Sequence, residues 1–181
     1  ERLTEYLLKA LRESKVHTNW IYPDAAYEEA MTRMAVNVVS DHEFTADLEE
    51  FLGPLRMPAY ISSLAQTLIK YTAPGVPDLY QGTELWDLSL VDPDNRRPVN
   101  FDERRRLLFE VEALEDTTQL WDCMDSGKPK LFLIHRLLQL RRERPDVFGP
   151  AGAYQPLKAD GGKADHVVAY MRGEAAITIA P

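Results

Sequence analysis

Charged side chains crowd one short stretch of this chain, the run DPDNRR at residues 92 to 97. Asp92, Asp94, Arg96 and Arg97 can brace a loop through ion pairs, or they can line a binding pocket. Arginine suits either role, because its rigid fork of donors holds a carboxylate or bridges neighbouring hydroxyl groups. The residue types and their spacing leave both interpretations open.

A second group of candidates follows a short apolar stretch, Val76 to Tyr80. Functional groups often sit where a strand gives way to a polar loop, and Tyr80, Gln81 and Glu84 occupy that position. Gln81 and Glu84 can instead satisfy backbone donors in a tight turn. Trp86 can offer its flat face to a ligand, or it can pack the loop against its surroundings.

Composition narrows the classes of function. The chain has 181 residues, of which 45% are hydrophobic and 28% charged, as in an ordinary globular protein. Its net charge of −8 argues against nucleic-acid binding, and no apolar run approaches the length of a membrane span. A single cysteine, Cys123, excludes a disulfide framework and indicates the cytoplasm. The four histidines lack paired ligand spacing, so no metal site is predicted.

The elements that position these groups are helical in the first part of the chain. Apolar residues at helical spacing predict a helix over residues 1 to 14 and another that begins after an N-cap at Asp24. Asp41 is placed to cap a third helix, which runs to about Leu52. A fourth helix is predicted from about Met57 to Tyr71.

The pattern then changes, because Val76 to Tyr80 is typical of a buried strand. After the polar loop, Asp102 is predicted to cap a helix that runs to about Leu114. A short helix, a long helix and three strands complete the prediction: 119–124, 129–144, 154–157, 166–171 and 175–179, the last two as a hairpin. A single buried strand needs parallel neighbours. The stretch at 76–80 is therefore either not a strand, or it completes a sheet formed by residues outside this chain.

The run APGVPDLYQGTEL resembles the eighth strand of the α-amylase superfamily barrel, in which a proline-rich entry leads to an apolar strand, a tyrosine and a Gly-x-Glu. DPDNRRPV is similar to the loop that follows this strand in the glucosidase and trehalose-forming branches. Together with the later runs LLQLRRERPDVF and GAYQPL, the stretch is similar to the maltooligosyltrehalose synthase family.

That resemblance implies a chemistry and a site. The family rearranges the reducing-end α-1,4 linkage of a maltooligosaccharide into an α,α-1,1 linkage, without a cofactor. An arginine of this loop often closes the sugar pocket in the superfamily, which favours Arg97, with Arg96 as the alternative. The full set of expected substrate-binding residues is Arg97, Arg96, Asp92, Asn95, Gln81, Tyr80, Glu84 and Trp86.

The resemblance also implies a fold that is mainly α with short β elements, the C-terminal part of a (β/α)8 barrel with a helical insertion and the start of a C-terminal β domain. Residues 1–56 would form the helical insertion, and 57–126 the last barrel strand, the substrate loop and outer helices. Residues 127–150 would form the long helix that ends the barrel, and 151–181 the start of the β domain.

The three catalytic carboxylates of the superfamily lie on the fourth, fifth and seventh strands, and no motif for them occurs here. We therefore expect a part of a longer enzyme, inactive alone, which self-associates through the surface left by the missing barrel. Two alternatives stay open. The parent can be an α-glucosidase or maltooligosyltrehalose trehalohydrolase, or the chain can be a non-catalytic helical interaction module.

Overall fold

Eight α-helices and one three-stranded sheet make up the computed structural model, which describes all residues from 1 to 181. The helices are α1 Arg2–Ser14, α2 Ala25–Ser40, α3 His42–Leu52, α4 Arg56–Thr72, α5 Phe101–Glu112, α6 Gln119–Asp122, α7 Lys128–Glu143 and α8 Pro145–Phe148. The strands are β1 Tyr154–Pro156, β2 Val168–Arg172 and β3 Ala176–Ala180. The mainly α composition with short β elements is therefore confirmed.

The chain divides into two compact units. The first consists of Glu1–Arg56 and Leu88–Pro98, and the second of Met57–Asp87 and Val99–Pro181. The loop rich in aspartate and arginine thus groups with helices α1 to α3. The residues on either side of that loop group with the rest of the chain.

The helices of the first unit begin where their capping side chains predict. The Asp24 carboxylate accepts a hydrogen bond from the Tyr27 backbone N–H at 3.0 Å, and α2 starts directly after Asp24. The Asp41 carboxylate accepts from the amides of Glu43 and Phe44, at 2.9 and 3.0 Å, and starts α3. These bonds satisfy amides that have no partner within the helix.

The interior of the first unit is polar. Its buried residues are Thr18, Glu28 and Asp94, while large apolar side chains of α2 and α3 stay exposed. Those exposed residues are Met34, Val36, Val39, Phe44, Leu48 and Phe51. Directional hydrogen bonds and ion pairs, and not a hydrophobic core, therefore hold the buried positions of this unit.

The second unit has two hydrophobic clusters, and α7 contributes to both. Leu107, Val111, Leu120 and Leu131 form one cluster. Tyr71, Ile134 and Leu137 form the other. Leu131, Ile134 and Leu137 are each three residues apart on α7, a spacing that keeps them on neighbouring parts of one helical face.

The sheet has the strand order β1-β2-β3, and both pairings are antiparallel. The predicted hairpin is confirmed, with Tyr170 opposite Thr178 in the β2–β3 register. Its turn needs glycine at position 173, because φ is +55° there and an added Cβ would lie 2.9 Å from Val147 Cα.

One fully buried arginine ties the sheet to the helices of its unit. Arg172 is 1% exposed, and its guanidinium donates to the carbonyl oxygens of Thr72 at 3.1 Å and Val147 at 3.3 Å. It also donates to the carbonyls of Gly152 and Ala153. The Tyr170 hydroxyl lies 2.6 Å from Thr72 Oγ1, which adds a second link from β2 to α4.

Residues 76–80 form neither a strand nor a buried segment within this chain, so of the two alternatives left by the sequence, a strand with partners in this chain is excluded. The segment has no ladder partner, Val76 is 96% exposed, and Tyr80 is 48% exposed. A strand requires a neighbouring strand as the partner of its backbone hydrogen bonds, and the only sheet of the structure contains β1 to β3.

The predicted cap of α5 is wrong. Asn100, and not Asp102, is the N-cap, and its Oδ1 accepts from the Glu103 backbone N–H at 3.0 Å. Asp102 falls in the first turn, where its negative charge interacts favourably with the positive end of the helix dipole.

No helix of the chain combines the length and the apolar character needed to span a membrane.

Candidate functional site

Asp94 is the centre of the loop in the first unit. Its side chain is only 2% exposed and accepts two hydrogen bonds from Arg2, Nε to Oδ1 at 2.7 Å and Nη2 to Oδ2 at 2.8 Å. The Leu90 backbone N–H donates to the same carboxylate at 2.7 Å. The hydrogen bonds from Arg2 are the main cause that holds the pKa of Asp94 far below its ordinary range. The carboxylate is thus ionised at neutral pH and fastens the loop to the start of α1.

Arg97 lies beside this brace and keeps part of its surface exposed. Its Nε donates to the Asp94 carbonyl oxygen at 3.0 Å and lies 2.9 Å from Asp94 Oδ1. Its Nη2 donates to Ser89 Oγ at 3.1 Å. With 51% of its side chain exposed, the guanidinium is held in one orientation and can still contact a ligand.

Arg96 and Asp92 form a forked pair at the surface of the same loop. Arg96 donates from Nε to Asp92 Oδ1 at 3.1 Å and from Nη2 to Asp92 Oδ2. Hydrogen bonding from Arg96 is the largest cause that lowers the pKa of Asp92. Both charges are therefore present at neutral pH, and the pair offers planar donors and acceptors side by side.

Asn95 contains a buried acceptor with no protein partner. The residue is half-buried, and its Oδ1 accepts no hydrogen bond from the chain. A buried oxygen of this kind costs about 1–3 kcal/mol when it stays unpaired. Of the four loop residues predicted to bind substrate, Asn95 thus keeps its oxygen buried, while Asp92, Arg96 and Arg97 are positioned by one another or by Asp94.

The other predicted residues, Tyr80, Gln81, Glu84 and Trp86, lie in the second unit. Glu84 accepts a hydrogen bond from Arg104 Nε at 2.8 Å. Arg104 also donates from Nη2 to the Gly82 carbonyl oxygen at 2.6 Å. Because both partners are about four-fifths buried, at 18% and 21% side-chain exposure, Glu84 fixes its turn to α5.

Trp86 is packed on one face and bonded at its edge. Its ring stacks on Tyr60, with 4.6 Å between centroids and 14° between planes, and its Nε1 donates to the Met124 carbonyl oxygen at 2.6 Å. Lys130 Nζ lies 6.0 Å from the ring centre. These contacts favour the packing role of Trp86 over a ligand platform.

Tyr80 and Gln81 are exposed, and Tyr80 borders a polar recess of about 450 Å³. Lys70 and Lys130 line the same recess. Burial, and next the charge of Lys70, lower the pKa of Lys130. This recess therefore offers cationic and hydroxyl groups to a ligand. Asp78 is the one carboxyl group among the residues that line it.

Sequence reasoning missed the residues that hold the first unit together. Arg2 and Asp94 are 92 positions apart, and no local pattern connects them. Arg12 donates from Nε and Nη2 to the two carboxylate oxygens of Glu28, at 2.8 and 2.7 Å, and Thr18 donates to the same carboxylate at 2.6 Å. A glutamate on the inward face of α2 is the one signal that could have revealed this pair.

No group of three or more His, Cys, Asp or Glu residues in the structure could hold a metal ion.

This chain is similar in sequence and structure to proteins of one enzyme family. No family model matches. A protein of Mycobacterium tuberculosis strain H37Rv, assigned as a maltooligosyl trehalose synthase, is 42% identical over 173 residues, which cover 96% of this chain and 20% of that protein. The chain thus spans about a fifth of the length of the curated relatives that it matches.

Solved structures give the same result. The maltooligosyltrehalose synthase of Arthrobacter ramosus is 41% identical, with a TM-score of 0.86 over 99% of this chain and 23% of the solved one. A second maltooligosyl trehalose synthase structure has a TM-score of 0.88 at 29% identity, and one from Sulfolobus tokodaii has 0.82 at 34%. Over nearly all of its length, this chain is therefore homologous to one segment of the maltooligosyltrehalose synthases, which confirms the resemblance drawn from its motifs.

Proposed function

We propose that this chain forms part of an intramolecular transglucosidase, which converts the reducing-end α-1,4 linkage of a maltooligosaccharide into an α,α-1,1 linkage. The observation that carries the proposal is the 42% identity over 96% of the chain to a protein assigned as maltooligosyl trehalose synthase. The substrate is a maltooligosaccharide, and the reaction needs no cofactor. The cytoplasmic location stays a prediction from the single cysteine.

Within that enzyme, the chain contributes binding groups. The half-exposed side chain of Arg97 supports a role in holding sugar hydroxyls, and Asn95 stays a candidate although its side-chain oxygen is buried. Arg96, Asp92, Tyr80 and Gln81 stay candidates because their side chains reach solvent. For Glu84 and Trp86, the contacts with Arg104, Tyr60 and Met124 support a structural role.

We interpret the segment at 76–80 as the last strand of a (β/α)8 barrel whose other strands lie outside this chain. The segment has no ladder partner and exposes Val76 and Tyr80, which supports that interpretation because a buried parallel strand needs neighbours on both sides. Residues 1–56 are then an insertion, 127–150 the helix that ends the barrel, and 151–181 the start of a β domain.

The chain alone is expected to be inactive. A retaining mechanism requires a carboxylate nucleophile about 5 Å from a general acid, whose pKa must be raised to keep its proton. Every carboxyl group of this chain with a clearly shifted pKa is shifted downward, including Glu28, Asp92 and Asp94. These groups are anions at neutral pH and cannot donate a proton to a leaving group.

Incubation of the full-length protein with maltopentaose tests the proposal. Rearrangement gives a product of unchanged chain length that has lost its reducing end. Release of free glucose from the reaction would instead identify an α-glucosidase, and consumption of maltooligosyltrehalose with release of trehalose a trehalohydrolase. The 181-residue chain serves as the matched control, and turnover by it alone would contradict the assignment of the catalysts to other segments.

A further inference from the structure

A fixed aromatic surface lies between α1 and α2. The Trp20 indole is 58% exposed, and the guanidinium carbon of Arg12 lies 5.0 Å from the centre of its ring. Arg12 is itself immobilised by two hydrogen bonds to Glu28, which is 7% exposed. Trp20 is therefore held by an anchored cation, and little side-chain entropy would be lost when a ligand packs on it.

Trp20 is one wall of a concave site that lies wholly in the first unit. This site, called the Trp20 recess below, has a volume of about 430 Å³, within the range of ligand pockets. Its walls come from α1, from Trp20 and from the loop, and include Leu8, Lys9, Trp20, Asp92, Pro93 and Arg96. The recess thus combines apolar surface with charged groups.

Most of the charged groups that line the recess are paired within the protein. Asp92 is bonded to Arg96 through both carboxylate oxygens, and Lys9 Nζ lies 3.8 Å from Glu13 Oε2. The charged residues that line the recess are three carboxylates, Glu5, Glu13 and Asp92, and three cations, Lys9, Arg12 and Arg96. Their charges balance, so the recess does not favour a ligand of either charge. Its residue types suit a neutral ligand with many hydroxyl groups, which forked donors and carboxylate oxygens can bridge, and with an apolar face that fits an indole.

A pyranose ring has these properties, since its axial C–H groups form an apolar face and its hydroxyls form a polar edge. We propose that the Trp20 recess binds one glucosyl unit of an α-1,4-glucan, with the ring packed on Trp20 and its hydroxyls at Asp92, Arg96 and Lys9. The proposal rests on the proposed function for the class of sugar. It adds a binding surface formed by α1 and the α1–α2 connection. Neither Arg97 nor Asn95 lines this surface.

The test compares Trp20→Ala and Trp20→Phe with Trp121→Ala in the full-length protein. Trp121 is a matched control, because it is 61% exposed and does not line the recess. Two readouts are used: kcat/KM for maltotriose, maltopentaose and maltoheptaose, and binding of β-cyclodextrin, an α-1,4-glucan that has no reducing end and cannot be rearranged.

We expect Trp20→Ala to weaken β-cyclodextrin binding by about tenfold, the size of a lost aromatic contact, and to lower kcat/KM by a similar factor for one range of chain lengths. Trp20→Phe keeps an aromatic face and should stay within about threefold of the unaltered protein. Trp121→Ala should change neither readout. Lys9→Met, which keeps Trp20 and removes a donor that lines the recess, gives a second variant should Trp20→Ala fail to fold, and it should also weaken β-cyclodextrin binding.

An active protein whose binding of β-cyclodextrin and kcat/KM are the same in Trp20→Ala and Trp121→Ala would overturn the assignment of the recess and leave the proposed function intact. The proposed function fails in a different way, when the unaltered full-length protein does not rearrange maltopentaose. In that case, loss of β-cyclodextrin binding in Trp20→Ala alone would still support a glucan site, and equal binding by both variants would exclude it.

Discussion

Replacement of Arg97 by alanine in the full-length protein separates the two roles that its position allows. The guanidinium braces the loop through Asp94 and Ser89, and 51% of its side chain faces solvent. If it also holds a sugar hydroxyl in the transition state, its loss removes a hydrogen bond to a charged donor. If it is only a brace, its loss affects the stability of the loop and leaves binding largely unchanged.

The two roles predict effects of different size. A hydrogen bond from a charged donor contributes about 1.5–3 kcal/mol, so kcat/KM should fall by about 10- to 150-fold. A half-exposed ion pair contributes about 0–1 kcal/mol to stability, because solvent screens it. We therefore expect the large fall in kcat/KM for maltopentaose, with at most a small decrease in Tm.

Ser89→Ala and Arg105→Ala are the controls. Ser89→Ala removes the hydroxyl that accepts from Arg97 Nη2 and keeps the guanidinium, so kcat/KM should stay within about threefold. Arg105 is 72% exposed and bonds to Asp102 on α5, and its loss should change neither kcat/KM nor Tm. Retention of full kcat/KM by Arg97→Ala, or an equal loss in Ser89→Ala, would refute the substrate contact and leave the brace as the role of Arg97.

Three further predictions concern the stability of the chain. Hydrogen bonds from Arg12 and Thr18 lower the pKa of Glu28 to about 2. The contribution of ionised Glu28 to stability is therefore complete above its ordinary pKa near 4.5 and is lost as the pH falls towards 2. Glu28→Gln should flatten the acid limb of a stability–pH curve in that window. Ile134→Ala removes a side chain that is 2% exposed and should lower the free energy of unfolding in urea by about 2–5 kcal/mol, whereas Ile177→Ala, at 62% exposure, should change it little. Arg172→Met leaves buried carbonyls without their donor and should cost on the order of 3 kcal/mol, so an unchanged urea midpoint would contradict its role as the anchor of the sheet.

Local sequence signals were enough to predict most of the helices and the hairpin. Asp24 and Asp41 each precede a helix, and a side-chain oxygen that reaches an amide two or three residues on is a short-range interaction. The same logic failed at α5, where Asn100 and Asp102 both qualify as caps. The choice between them depends on the residue at which the loop ends and the helix begins, which the residue types do not specify.

The candidate site was predictable only in its residue types. The run DPDNRR was recognised as a brace or a pocket wall, and the structure contains the brace at Asp94. Its principal partner, Arg2, comes from the opposite end of the first unit's sequence, and only the folded chain brings the two together. Trp20 was not singled out either, since its role depends on the position of Arg12 beneath it and on the loop beside it.

The polar interior of the first unit has a consequence for calorimetry. The heat-capacity increment of unfolding rises with the apolar surface that becomes exposed. Thr18, Glu28 and Asp94 contribute little such surface, whereas the second unit buries two clusters of leucine, isoleucine, valine and tyrosine. The heat-capacity increment in a thermal scan of the chain is therefore dominated by the second unit. The melting of the first is better identified by its dependence on acid pH, since the folded state lowers the pKa of Glu28 and Asp94.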